Sequence, residues 1–138
     1  MDVAAAKIAS IARSVSRARA EFADGGETFR QNFTRQDAAI LNVMRACESA
    51  VDLANIVIRT RKLGVPKEMR GSFALLEAGQ LISHELSSRL QKMIGFRNIA
   101  VHQYQDLDLN IVDAVIRDGL EDLLEFAEVI RQYLPAAG

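Results

Sequence analysis

The chain has 138 residues, a length that fits one domain and excludes most two-domain enzyme architectures. Hydrophobic residues make up 49% and charged residues 25%, which is enough to bury one core beneath a polar surface. The net charge of −1 gives no overall attraction to nucleic acid, and with only 2 Pro and 8 Gly the composition favours helix over strand. We therefore expect a single helical domain spanning residues 1–138.

The cysteine content and the distribution of hydrophobic residues bear on the cellular compartment. Cys47 is the only cysteine, so no intrachain disulfide can form, which favours a reducing compartment. Charged residues interrupt the opening segment, and no run approaches the ~18 apolar residues of a membrane span. The sequence predicts a cytoplasmic protein that does not enter a membrane.

Charge is unevenly distributed along the chain. Eight acidic residues lie between positions 106 and 128, against one arginine. A basic cluster precedes them in mid-chain and comprises Arg59, Arg61, Lys62, Lys67 and Arg70. A local basic surface can bind phosphates whatever the net charge, although charge alone favours a solvated helix end here.

Hydrophobic periodicity predicts two long helices in the first half of the chain. A stripe at near-helical spacing covers residues 3–22, and Asp24-Gly25-Gly26 ends that helix. Thr34 followed by Asp37 is an N-cap signal for a second helix. Leu63-Gly64-Val65-Pro66 ends the second helix.

Three further helices are predicted in the second half. A short third helix runs to about Gln80, and a fourth begins after Ser83. Asn110 and Asp113 open a fifth helix, whose hydrophobic stripe reaches Leu134. Because hydrophobic residues recur at alternating steps of three and four, we predict an all-α fold, an antiparallel bundle of about five helices.

The fourth helix contains the one dense polar cluster, residues 95–104. At 100° per residue Arg97 falls inside the hydrophobic arc, which also includes Val101. Burying an unpaired guanidinium is very costly, so Arg97 requires an anion, a hydrogen-bonded partner or a second subunit. A purely structural alternative is an ion pair with Glu48 or Asp52 of the second helix.

Other candidate residues are weaker. Asn98 and His102 fall on the flank of the arc, and His84 follows a helix cap, where a solvent-facing or capping role is expected. Cys47 lies on the buried stripe of the second helix and is expected to be a small core residue. With only 2 His and no Cys or acid at a ligand spacing from either, no metal site is predicted.

Arg97, four residues, His102, one residue and Tyr104 form a pattern that resembles the signature of the HEPN superfamily and, within it, of the HepT-like toxins. The similarity covers roughly residues 30–134. It includes, in order, Phe33-Thr34-Arg35-Gln36-Asp37, Arg45-Ala46-Cys47-Glu48, Asp52-Leu53-Ala54, Leu63-Gly64-Val65-Pro66 and Gly95-Phe96-Arg97-Asn98.

The resemblance implies a HEPN-like helical homodimer that acts as a metal-independent ribonuclease toxin, needs no cofactor and pairs with an MntA-like nucleotidyltransferase antitoxin. Arg97 and His102 match the family's catalytic positions, and Asn98 matches a supporting polar position. Tyr104 matches the tyrosine that the antitoxin modifies with AMP. Without the resemblance, a tyrosine packed at the dimer seam is the preferred interpretation of Tyr104. A role for the first ~30 residues in binding RNA or a partner stays open.

Residue chemistry suggests how RNA would be cleaved. A histidine can take a proton from the ribose 2′-OH or give one to the leaving 5′-oxygen, but one imidazole cannot readily do both. A two-fold axis would bring two His102 and two Arg97 into one groove, and the product would be a 2′,3′-cyclic phosphate.

Two other functions are compatible with the sequence. One is a non-catalytic RNA-binding or scaffolding partner of a nucleotidyltransferase, with the Arg-His-Tyr pattern as its docking epitope. The other is a dimeric helical adaptor without an RNA ligand, supported mainly by the net charge of −1.

Overall fold

The computed structural model describes residues 2–135, a range that contains helices and no strand. The helices are α1 (Val3–Gly25), α2 (Phe33–Arg61), α3 (Met69–Ala78), α4 (His84–His102), α5 (Leu109–Ala114) and α6 (Leu120–Arg131). A π-helical turn, Val115–Gly119, joins α5 to α6 without a break, so these two form the fifth predicted helix. Short 3₁₀ helices span Gly26–Gln31 and Tyr104–Asp106. The predicted all-α bundle is confirmed; residues 1 and 136–138 of the predicted domain lie outside the described residues.

Cross-helix contacts show that α1 and α2 run antiparallel. Lys7, near the start of α1, forms a 2.8 Å ion pair with Asp52 in the second half of α2. Glu21, near the end of α1, pairs at 3.1 Å with Arg35 at the start of α2. Because early residues of one helix meet late residues of the other, α1 and α2 form an antiparallel hairpin.

One hydrophobic core lies between the helices. The rings of Phe73 from α3 and Phe126 from α6 meet edge to face, with centroids 5.3 Å apart. The largest fully buried side chains come from α1, α2, α3, α4, α6 and the first 3₁₀ helix: Phe29, Phe73, Phe126, Ile11, Leu53, Ile58, Leu76, Leu90, Ile94, Leu120, Leu123 and Ile130. This shared core fixes α4 against α2, which positions the polar cluster described below.

Helix starts agree with the sequence at α4 and differ at α2. The Ser83 hydroxyl accepts a hydrogen bond from the Leu86 amide at 3.1 Å, so the predicted start of α4 is confirmed. The predicted cap Thr34 is wrong, because α2 begins at Phe33 and Asn32 is its N-cap. The Asn32 side chain, on an extended backbone, accepts from the Arg35 amide at 3.1 Å, whereas Thr34 already lies within the helix.

The last helical segment contains a feature that hydrophobic periodicity did not predict. Asp108 caps α5, accepting from the Asn110 amide at 2.8 Å, so the helix begins slightly before the predicted start. The π-helical turn then ends at Gly119, where a Cβ would lie 2.5 Å from the Met93 sulfur of α4. Glycine at this position therefore allows α4 and the π-helical turn to pack closely. The segment ends at Arg131, short of the predicted Leu134.

Candidate functional site

The last two turns of α4 hold Arg97, Asn98 and His102. These turns lie beside the first and middle turns of α2. They run antiparallel to α2, as α1 does. His102 is the last residue of the helix, which closes with the Gln103 amide donating to the Ile99 carbonyl at 2.7 Å. The site therefore lies where α4 ends.

Arg97 is held by two neighbours. Its Nη2 donates to Glu48 Oε2 of α2 at 2.8 Å, and its Nη1 donates to Asn98 Oδ1 at 3.2 Å. The structural alternative for Arg97 is thus confirmed for Glu48, whereas Asp52 pairs with Lys7 instead. The side chain is 18% exposed, and among residues 2–135 its buried Nε has no hydrogen-bond partner. A guanidinium has five N–H donors, so each Nη has one N–H that these two hydrogen bonds do not use.

His102 does not share a face of α4 with Arg97. His102 is five positions after Arg97, which turns the two side chains about 140° apart around the helix axis. The His102 side chain is exposed, beside the half-buried Asn98 one turn earlier. The structure thus brings Arg97, Asn98 and Glu48 into contact, and leaves His102 on the solvent side of the helix end.

Tyr104 lies just beyond α4, in the 3₁₀ turn Tyr104–Asp106. Its hydroxyl donates a hydrogen bond to the carboxylate of Asp37 near the start of α2. Burial and, after it, this carboxylate hold the pKa of the Tyr104 phenol well above its usual value. Asp37, assigned only to a cap signal in the sequence, therefore belongs to the site. No periodicity could reveal this contact, because the partners are 67 positions apart in the sequence.

The hydrophobic arc predicted for α4 is wrong at Val101, which is 41% exposed. The buried residues of the final turns are Phe96 and Ala100, so the buried face is rotated away from Val101. No helix of the described range covers Val101 fully, and Tyr104 is similarly 42% exposed. Hydrophobic surface thus lies beside the polar cluster.

The remaining candidates behave as expected of residues without a catalytic role. The His84 side chain is 80% exposed and pairs with Glu77 at 2.9 Å. Cys47 is fully buried, and burial raises the pKa of its thiol to about 12, which makes it a poor nucleophile. The core assignment of Cys47 is confirmed.

No cluster of metal-binding side chains and no membrane-spanning helix is found within residues 2–135. Nowhere in that range do three His, Cys, Asp or Glu side chains come together as metal ligands would. None of the described helices is both long enough and hydrophobic enough to span a bilayer.

A family model and a known relative both match almost the whole chain. The family model described as "Ribonuclease HepT-like" matches residues 4–130. The chain is 46% identical over 130 residues to the "mRNA nuclease HepT" of Shewanella oneidensis, covering 94% of this chain and 97% of that protein.

Solved structures resemble the fold over almost its whole length. One is a tri-AMPylated Shewanella oneidensis HEPN toxin in complex with MNT antitoxin, with 45% identity and a TM-score of 0.90, covering 96% of this chain and 98% of that one. Another is a toxin-antitoxin with AMP-PNP, again with 45% identity and a TM-score of 0.90, over 96% of this chain and 99% of that one. The arginine, histidine and tyrosine at the end of α4 thus stand in a chain that belongs to the HepT-like family of the HEPN superfamily.

Proposed function

We propose that this chain is the toxin of a toxin-antitoxin pair, a single-domain endoribonuclease that works as a homodimer without a metal ion. The observation that carries the proposal is the placement of Arg97, Asn98, His102 and Tyr104 at one helix end in a HepT-like chain. The relative that is 46% identical is named an mRNA nuclease, which supports RNA as the substrate.

Cleavage would proceed by transesterification. The ribose 2′-oxygen loses its proton to one His102 imidazole and bonds to the adjacent phosphorus, and the bond to the 5′-oxygen breaks. The leaving 5′-oxygen takes a proton from the second His102, so the products are a 2′,3′-cyclic phosphate and a 5′-hydroxyl. Arg97 stabilises the charge that develops on the phosphoryl oxygens, and Asn98 holds the guanidinium through its 3.2 Å contact.

A second copy of the chain completes this site. Each chain supplies one His102, and Arg97 points away from it on the same helix, so base, acid and guanidinium do not converge within one protomer. The exposed Val101 lies between these residues in the sequence and offers hydrophobic surface for the partner's α4. Packing of the two α4 ends across a two-fold axis would place both Arg97-His102 pairs around one cleft.

Tyr104 is the residue we assign to regulation. An MntA-like nucleotidyltransferase would transfer AMP from ATP: the phenolic oxygen bonds to the α-phosphorus, pyrophosphate leaves, and the phenolic proton passes to a base. The AMPylated toxin relative supports a modification of this class. A phosphodiester at Tyr104 would repel an RNA phosphate approaching the end of α4 and block it sterically.

A non-catalytic RNA-binding or scaffolding partner of a nucleotidyltransferase is the second candidate function. The 2.8 Å pair between Arg97 and Glu48 favours it, because this contact gives the arginine a structural role in a single chain. In that case RNA would bind without being cut.

Incubation of purified protein with single-stranded RNA in excess chelator separates the two functions. The nuclease predicts cleavage at an undiminished rate, with fragments ending in a 2′,3′-cyclic phosphate. Binding without cleavage would support the scaffolding function, and cleavage that stops in chelator would overturn the metal-independent mechanism.

A further inference from the structure

One stripe of α4 leads away from His102 along the helix surface. Gln91, Gly95, Asn98 and His102 recur at steps of four, three and four, which places them within about 60° of one another around the helix axis. None of the four is buried. At 1.5 Å per residue, Gly95 lies about 10 Å from His102 along the stripe.

The guanidinium of Arg70, a residue of α3, lies against this stripe at Gly95. A Cβ built at Gly95 would be 2.4 Å from Nη2 of Arg70, the second residue of α3. Any other residue at position 95 would therefore displace the Arg70 side chain. The missing side chain lets the guanidinium rest directly against α4, in line with Asn98 and His102.

A basic cavity continues the stripe in the direction away from His102. It has a volume of about 340 Å³ and is lined by Arg70, Lys92, His84, Ser88 and Gln91, none of which is acidic. Within the described range, the ion pairs found include neither Arg70 nor Lys92. Two cations are thus available to an anion beside a stripe that ends at the proposed catalytic histidine.

Arg70, Lys92 and Gly95 also line a second, larger groove. Its other lining residues are largely hydrophobic, with Arg89 as the one further cation and four carboxylates, those of Asp106, Asp108, Asp118 and Asp122. These carboxylates would repel a phosphate chain. An anionic ligand is therefore expected to bind at the basic cavity and not across the groove.

We propose that Arg70 and Lys92 bind a phosphate of single-stranded RNA that flanks the scissile one, a subsite that rests on the proposed nuclease function. The planar Arg70 guanidinium matches two phosphate oxygens, and Lys92 adds a point charge. The subsite fixes the direction of the RNA, from His102 along Asn98 and Gly95 towards the cavity. Phosphate contacts of this kind set position rather than base preference.

Binding of fluorescently labelled single-stranded RNA to the His102→Ala protein, followed by anisotropy at several salt concentrations, tests the subsite without cleavage. Arg70→Gln in this background should weaken binding and reduce the slope of log affinity against log salt by about 0.7. Gly95→Ala should have the same effect with the charge unchanged, because it displaces Arg70. Arg131→Gln, which removes a cation lining a cavity beside α1, is the matched control and should leave the slope unchanged.

The outcomes separate the subsite from the nuclease. Weaker binding and a lower slope for Arg70→Gln and Gly95→Ala, but not for Arg131→Gln, support the subsite. An unchanged slope in Arg70→Gln, while the wild type cleaves RNA, overturns the subsite and leaves the nuclease standing. Failure of the wild type to bind or cleave RNA overturns both.

Discussion

Among individual residues, Tyr104 is the one that we propose to be the site of regulation. Its hydroxyl donates a hydrogen bond to Asp37 in this conformation. Nucleotidylation of the hydroxyl must therefore break that hydrogen bond. AMP esterification also removes the donated proton and places a phosphodiester near the Asp37 carboxylate. Modification of Tyr104 would therefore remove this hydrogen bond between the 3₁₀ turn and α2.

Co-expression with an MntA-like nucleotidyltransferase tests the assignment of Tyr104. The wild type should gain one or more AMP masses, whereas Tyr104→Phe should gain none and remain toxic, because the acceptor oxygen is absent. The chain has 2 tyrosines, so Tyr133→Phe is the matched control and should be modified normally. AMP mapped by mass spectrometry to a residue other than Tyr104 would contradict the assignment.

The hydrogen bond to Asp37 affects the pH at which the Tyr104 phenol loses its proton. Since the folded-state pKa of Tyr104 is raised, this group stabilises the fold fully below its unfolded pKa of about 10, and the contribution is lost as pH rises through the folded value. Asp37→Asn removes the negative charge and should lower the Tyr104 pKa. Ultraviolet titration in a Tyr133→Phe background measures this single phenol, with Glu128→Gln as the control. An unchanged pKa in Asp37→Asn would show that the carboxylate does not act on Tyr104.

At the level of single helices, the start of α2 allows the observed N-cap, Asn32, to be compared with the predicted one, Thr34. Asn32→Ala removes the acceptor for the Arg35 amide and should lower the free energy of unfolding by about 1 kcal/mol. Thr34→Ala, at an exposed position inside the first turn, should change it far less. Chemical denaturation of the two variants measures the difference. A larger loss in Thr34→Ala would restore the cap that the sequence pattern predicted.

The helices themselves followed from periodicity, because hydrophobic stripes and strong caps are local signals. Ser83 at the start of α4 and the buried Cys47 are examples in which local pattern and tertiary structure agree. Asn32, two positions before the predicted cap, shows that a capping-box pattern alone does not select the residue that has the required backbone conformation.

The sequence indicated the candidate residues Arg97, His102 and Tyr104, but neither Asp37 nor the contacts among the candidates. The Arg-His-Tyr pattern placed Arg97, His102 and Tyr104 in one segment, but Glu48 could be proposed only as one of two partners for Arg97. The partnership of Asp37 with Tyr104 depends on the packing of α2 against α4, which a single sequence does not encode locally. Val101 was wrongly assigned to the buried arc because a helical wheel does not show where the neighbouring helices stop.

At the scale of the whole molecule, the proposed homodimer rests on exposed hydrophobic surface beside an incomplete active site. Val101→Glu should weaken dimerisation and slow RNA cleavage together, because it places a charge where the two α4 ends are proposed to meet. Val65→Glu is the matched control, since that residue is 86% exposed in the loop after α2. Sedimentation velocity measures the association. A wild-type monomer at micromolar concentration that still cleaves RNA would remove the composite site.

Mapping of RNA ends after brief expression of the chain tests most directly whether Arg97 and His102 together cleave RNA. The wild type should create new 5′-hydroxyl ends paired with 2′,3′-cyclic phosphates. His102→Ala should lower their abundance by ~10²- to 10⁴-fold, as expected for loss of a general acid or base, and Arg97→Ala should also lower it strongly. Circular dichroism of each purified variant checks that the bundle still folds. New ends at wild-type abundance from a folded His102→Ala protein would contradict the account.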